Sequence, residues 1–352
     1  MTIYPIDQAQ TVLGTINPSD LGITLTHEHL LIDLAFNRPI PDSVFLKKIY
    51  YEPLNLGNLG YIKHFGIANR DDLQLLDINT AIDEINLYKK GGGNTVVDAT
   101  SIGISRNPKS LYKISKTTGL HIIMGSSYYV DASHPPEMTH TSENQIYETI
   151  INDIAMGVDG TGIKSGLIGE VGCSYPLTDN ERKVLQASGK AQKDSGAPLL
   201  IHPGRHENSP MEIIEILQST GANLTKTMIS HIDRTVFNKD NLKAIVNAGC
   251  YLEWDLFGSE QSQYVYNPKI DMPSDASRMD TIDWAISEGL ENKIVISQDI
   301  CHKKQLIKYG GHGYNYILGN IVPRMRNRGF TEDSINKFLK RNPAKFLTFS
   351  KS

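Results

Sequence analysis

Short apolar runs that end on a polar residue recur along this chain, at intervals that leave room for a helix between them. The first is Leu21-Gly22-Ile23-Thr24-Leu25, followed directly by Thr26-His27-Glu28-His29. Asn94 to Asp98 and Leu120 to Gly125 are the second and third, and the fourth closes at Glu170 after Leu167-Ile168-Gly169. Leu199-Leu200-Ile201 ends at His202, Thr227 to His231 is the sixth, Cys250 to Trp254 the seventh and Lys293 to Asp299 the eighth. Runs this short with little polar interruption read as strands buried on both faces. The segments between them carry helical spacing. Ala81, Ile82, Ile85 and Leu87 lie on a predicted helix over Thr80 to Lys90 that stops at Gly91-Gly92-Gly93. Thr178 and Glu181 form a capping-box pair opening a helix over Glu181 to Lys193, and Ala276 to Glu288 repeats the logic before the eighth strand. Eight strands alternating with helices predict a (β/α)8 barrel, an α/β fold, with residues 1–352 as one domain.

One segment interrupts the rhythm. Residues 35–77 hold Pro39, Pro41 and Pro53, several glycines and many aromatics without a clean period. A loop this long inside a compact domain is usually functional or disordered, and its aromatic content argues against disorder. Emerging after strand one, it is expected to form a lid or wall over the barrel mouth.

The polar residues at the run ends then acquire a meaning. In a barrel the C-terminal strand tips converge on one mouth, where catalytic groups sit. His27, His29, Glu170, His202, His231 and Asp299 would meet there. His27 and His29 are two apart and share a strand face, with Glu28 on the opposite face as a packing or supporting group. Imidazole and carboxylate ligands suit a borderline divalent ion such as zinc, and six of them exceed the needs of one catalytic ion, so two ions are expected. Glu170 is the expected bridge, ahead of Lys164, which precedes its apolar run rather than ending it. Asp299 is the expected ligand and general base, taking a proton from a shared water held as hydroxide. No Gly-x-Ser-x-Gly elbow appears, and none is needed.

Bulk properties narrow the partners. The 352 residues carry 35 Lys and Arg against 39 Asp and Glu, a net charge of −4, without the basic excess of a nucleic-acid surface. The N-terminus lacks a signal-peptide pattern, and no run approaches the roughly 18 apolar residues of a membrane helix. Three scattered cysteines, Cys173, Cys250 and Cys301, fit a reducing compartment, so the cytoplasm is the expected location. The expected partner is a small-molecule substrate, with neither nucleic acid nor membrane, and a homodimer is left open.

Beyond these readings, Thr11-Val12-Leu13-Gly14, Asp20-Leu21-Gly22 and Leu25-Thr26-His27-Glu28-His29-Leu30 resemble the start of the phosphotriesterase family of the amidohydrolase superfamily. The likeness continues in Thr100 to Arg106, Tyr129 to Ala132, Ile168 to Ser174, Pro176 to Asp179 and Ile201 to Arg205, then in Ser230 to Thr235, Tyr309 to Tyr314 and Leu347 to Phe349. These segments are similar to the branch of phosphotriesterase-related proteins. The resemblance implies metal ligands at the same six positions, with glutamate in place of the carboxylated lysine of the bacterial founders. It also implies hydrolysis of the amide bond of small N-acylated anions such as N-acetyltaurine and N-acetyl amino acids. Gln298 departs from the histidine that relatives carry there, which puts the support of Asp299 in question.

Around the metals, Tyr129 is expected to end strand three with its hydroxyl near the substrate. Arg205 and Arg234 follow strands five and six, where guanidinium groups suit a sulfonate or carboxylate tail. The remaining histidines, His302 and His312 among them, are expected to be structural or solvent-facing. The alternative activities are lactone opening and phosphotriester cleavage at the same site, and a non-catalytic metal-binding barrel is the reading from outside enzymology.

Overall fold

The computed structural model describes residues 4–260 and 264–351. All eight expected strands are present: β1 (Thr24–Glu28), β2 (Thr95–Asp98), β3 (His121–Met124), β4 (Ile168–Gly172), β5 (Leu199–His202), β6 (Thr227–Ile229), β7 (Tyr251–Trp254) and β8 (Ile294–Ile296). They pair in parallel as two sheets, β1-β2-β3 and β4-β5-β6-β7-β8. Backbone hydrogen bonds close both seams. Gly166 and Gly169 donate to Met124 and Ser126 (2.9 and 2.7 Å), while Asp299 donates to His27 and His29 to Ile300 (both 3.1 Å). The result is an eight-stranded α/β barrel.

Alternation along the strands divides the apolar side chains between two cores. Val97, Ile123, Leu200, Met228, Tyr251 and Val295 join Ala9, Leu21, Phe346 and Leu347 in one cluster. Their chain neighbours Val96, Ile122, Ile201, Leu252 and Ile294 belong to the other, which also holds the helical residues Ile85, Leu111, Leu185 and Ile282. The first cluster fills the barrel interior, and the second cements the helices to its outside. His202 and Glu253 continue the parity of Leu200 and Tyr251, so the inward-facing positions turn polar as the strands reach the mouth.

The three expected helices run over Ile78–Lys90, Asp179–Ser195 and Asp275–Ser287. The Thr178–Glu181 capping box forms, and Glu181 also accepts the backbone N–H of Ser174 (2.9 Å) and of Asp131 (3.0 Å). One buried carboxylate thus ties the loops after β3 and β4 to a helix start.

The insertion departs from the expected loop. Its base is a short antiparallel pair, Ile32–Asp33 against Gln74–Leu75, and it contains helices at Val44–Tyr51 and Leu56–His64. Pro53 lies between these helices, and each has only about two turns, too short for a period to stand out in the sequence. Ile49, Leu54 and Ile62 give the insertion a small core of its own.

The loops after β6 and β7 are held by a buried ion cluster. Arg278 donates to Asp233 (2.7 Å), Asp275 (2.8 Å) and the Ser259 carbonyl (2.8 Å), and Asp233 also accepts the Leu256 N–H (3.1 Å). Breaking such a cluster strands its carboxylates. Arg278→Met is expected to cost about 3–5 kcal/mol in urea unfolding; a loss below 1 kcal/mol would mean that water or rearrangement satisfies both aspartates.

Candidate metal centre

The structure brings the six expected residues into one cluster at the barrel mouth. Glu170 is central. Its Oε1 lies 3.3 Å from His29 Nε2, and its Oε2 lies 2.9 Å from His202 Nδ1, 3.5 Å from His27 Nε2 and 3.6 Å from His231 Nε2. Asp299 Oδ1 is 3.4 Å from His29 Nε2 and 3.9 Å from His27 Nε2. Among the described residues three groups of donor atoms lie close together: His27 with Glu170 and His231, His27 with His29 and Asp299, and His27 with Glu253 and Asp255.

Not all six sit at strand ends. Glu170 lies in the middle of β4, which continues to Gly172, while His231 and Asp299 lie two and three residues beyond β6 and β8. His231 and Asp299 adopt left-handed backbone (φ 53° and 47°), unusual for residues other than glycine. That turn redirects their side chains toward the axis. The Asp299 backbone is pinned at both ends: its N–H donates to His27, and its carbonyl accepts from Gln305 Nε2 (3.2 Å).

The imidazoles are oriented from behind. His231 Nδ1 donates to Asp255 (2.9 Å), and His27 Nδ1 lies 3.2 Å from both Glu253 Oε2 and Asp255 Oδ2. His29 Nδ1 meets Thr100 Oγ1 (2.9 Å), which spends its own proton on the Leu31 carbonyl (3.0 Å) and so acts as acceptor. With Nδ1 protonated in all three, each ring presents the lone pair of Nε2 to the centre. His27 Nε2 is buried without a hydrogen-bond partner. Glu253 and Asp255 were not singled out from the sequence. The signal was there, since Glu253-Trp254-Asp255 ends the seventh run by the same rule as the other tips.

Charge completes the case. Burial alone would raise the Glu170 carboxyl, but His27 and His202 outweigh it and hold it well below the usual carboxylate range. Burial likewise disfavours ionised Asp255, and His231 and His27 hold it lower still. Burial opposes charge on the imidazoles too, but the same carboxylates raise those of His27 and His231 and push His29 up to about 9, so the buried cluster draws positive charge to offset Glu170, Glu253, Asp255 and Asp299. Divalent cations would supply it, and the donor set of nitrogen and carboxylate oxygen fits them.

Three substrate-side residues line the cavity above: Tyr129, Arg205 and Arg234. Tyr129 does not end β3, which stops at Met124; it stands in the following loop, its hydroxyl 3.3 Å from His202 Nδ1. Arg234 Nη2 lies 3.3 Å from His202 Nε2, and Arg205 Nε donates to Tyr264 (2.7 Å). His302 and His312 also line this cavity, contrary to expectation; burial pushes each down to about 4. The insertion contributes Arg38, Lys63 and Asp72.

Gln298 does not touch Asp299. Its Nε2 donates to Glu28 (3.2 Å) and to the Tyr314 carbonyl (3.1 Å), and its Oε1 accepts from Ile317 N–H (3.0 Å). Glu28 faces away from the two histidines beside it and accepts from Ser297 Oγ (2.8 Å) and Ile300 N–H (2.9 Å), stitching β1 to the end of β8. Burial pushes its carboxyl up to about 7 despite those bonds. The amide thus serves the seam and leaves the carboxylate of Asp299 to the centre.

Because Asp255 holds two of the rings, Asp255→Asn is expected to weaken divalent-metal affinity about 10- to 100-fold, measured by competition with a chelator. Unchanged affinity would show that the two rings are oriented without Asp255.

Comparison with known proteins agrees with this geometry. The model of the phosphotriesterase family matches residues 7–347. The N-acetyltaurine hydrolase of Homo sapiens is 46% identical over 345 residues, covering 97% of this chain and 98% of that protein. Among solved structures, a resiniferatoxin-binding protein from Rhodobacter sphaeroides superposes with a TM-score of 0.94 at 29% identity, covering 98% of this chain and 96% of the other. A lactonase from Listeria monocytogenes gives 0.78 at 26% identity, with 98% and 100% covered. With its barrel, its cluster of histidines and carboxylates and a match over nearly its full length, the chain belongs to the phosphotriesterase family.

Proposed function

We propose that this protein hydrolyses the amide bond of small N-acylated anions, N-acetyltaurine foremost and N-acetyl amino acids beside it, at a centre of two divalent metal ions. Glu170 carries the reading: one oxygen faces His29 and the other His27, His202 and His231, so one carboxylate touches residues of both proposed ion sites. His27, His29 and Asp299 would hold the first ion, and His202 and His231 the second, with zinc the ion that best suits these donors. When bound, such a pair lowers the pKa of water and polarises an acyl oxygen.

The side chains do the rest. Asp299 has its backbone fixed and its carboxylate beside the cluster, placed to take the proton of the attacking water and return it to the leaving nitrogen as the C–N bond breaks. The Tyr129 hydroxyl, at the edge of His202, is positioned to donate to the acyl oxygen. Arg205 and Arg234 hold the anionic tail, forming no ion pair with a carboxylate among the described residues. Every group comes from one chain, so a homodimer is not needed to complete the site. The three cysteines are free, and no helix of the described residues is long and apolar enough to cross a membrane; a cytoplasmic location fits the thiols.

The test is steady-state hydrolysis by the metal-loaded protein of N-acetyltaurine, N-acetyl amino acids, a lactone and a phosphotriester. Efficient lactone opening without amide cleavage would transfer the assignment to the activity carried by the Listeria relative's name. Asp299→Asn is expected to lower kcat roughly 10²- to 10⁴-fold. Near-normal turnover would place the base elsewhere. Arg205→Met and Arg234→Met should each lower kcat/KM for N-acetyltaurine about tens- to hundreds-fold while sparing a neutral ester of similar size. Equal losses on both substrates would reduce these arginines to supports of the fold.

A further inference from the structure

The cavity above the metal centre is lined by five cationic side chains, Arg38, Lys63, Arg205, Arg234 and Lys304, against the carboxylates of Asp72 and Asp299. Asp72 is committed to Lys304 (3.0 Å) and accepts that residue's N–H (2.8 Å). Asp299 belongs to the floor. Among the described residues, Arg38, Arg205 and Arg234 form no ion pair. Three unpaired guanidinium groups in one partly enclosed space repel each other, and an anion brought among them relieves the repulsion.

Two of the three meet at one aromatic plate. The Arg205 guanidinium lies 4.8 Å from the centroid of Tyr266, and that of Arg38 lies 5.5 Å from the same centroid. Arg205 is further fixed by Tyr264, to which its Nε donates, and its carbonyl accepts from Asn267 Nδ2 (3.3 Å). Arg38 is fixed from the insertion side: its Nη2 donates to the Gly66 carbonyl (2.8 Å). Gly66 itself is left-handed (φ +62°), and a Cβ there would stand 2.3 Å from Val265, so the insertion rests against the loop after β7 at this point. Stacking and single hydrogen bonds hold both forks while leaving donors free, as a preformed oxyanion-binding site requires. Arg234, by contrast, lies against His202 at the metal side.

We infer that Arg38, supplied by the insertion, joins Arg205, supplied by the loop after β5, and Tyr266 in an outer subsite that completes, with Arg234 on the metal side, the binding of the sulfonate or carboxylate tail of the substrate, and that Arg38 is a specificity-determining residue. This rests on the proposed hydrolysis of N-acylated anions and adds to it a place for the tail and a reason for the insertion. The anion ties residues 35–77 to the barrel, so substrates without a charged tail leave this contact unmade.

The test is calorimetric binding of propane-1-sulfonate, which has no bond to hydrolyse, to the metal-loaded protein, its Arg38→Met and Arg38→Lys variants, and in parallel binding of uncharged methyl propyl sulfone. Arg38→Met should weaken the sulfonate roughly ten- to a hundredfold and leave the sulfone unchanged, with Arg38→Lys falling between. Circular dichroism melting of each variant separates loss of binding from loss of fold. Sulfonate affinity equal to wild type in Arg38→Met, or no sulfonate binding to the wild type, overturns the subsite. Sulfonate binding that depends on Arg38, in a protein that cleaves no N-acetyl amide, would keep the subsite and discard the amidase reading.

Discussion

The centre depends on carboxylates and a hydroxyl placed behind the histidines rather than among them. An imidazole can present either nitrogen, and only a committed acceptor for one Nδ1–H fixes the other as a lone pair. Asp255 does this for His231 and, with Glu253, for His27, while Thr100 does it for His29. These acceptors come from β7 and from the residues just after β7 and β2, so the orientation of ligands on or after β1 and after β6 is set by chain segments that supply no ligand themselves. Closing the barrel is what makes that support available.

Electrostatics divides the cavity into two layers. The floor is rich in carboxylate and holds the residues that suit cations. The walls above are rich in guanidinium and ammonium groups, with Tyr129, Tyr264 and Tyr266 between them. The proposed substrate, an anion with a polarisable carbonyl at its other end, would match both layers once cations occupy the floor. The two layers therefore fix direction as well as affinity.

The insertion and the eighth-strand loop are joined by the same economy of contacts. Asp72 receives Lys304, and Asp71 receives Lys303 (2.5 Å), a few residues beyond Asp299. The wall that carries Arg38 is thus anchored beside the proposed base. Val44, Leu56 and Phe65 are exposed on the insertion, and its cavity side mixes Arg38, Lys63, Asn69 and Asp72 with Ile62, Ile67 and Leu73.

The sequence by itself determined the eight strands, the helices between them and the six polar residues that end the runs, because strand burial and helical spacing are local patterns that survive without a neighbour. It also separated Glu28 from His27 and His29, since alternation alone puts them on opposite faces. Only the tertiary structure decided which residues support those six. Gln298 pairs with Glu28 across the β1–β8 seam, and Asp255 meets rings more than twenty residues away in sequence or on the first strand. Arg38, His302 and His312 reach the cavity from segments with no period. The left-handed turns at His231 and Asp299 are likewise invisible beforehand, because a non-glycine residue takes that conformation only where surrounding contacts hold it there. Local pattern names the element, and closure of the barrel chooses the neighbours.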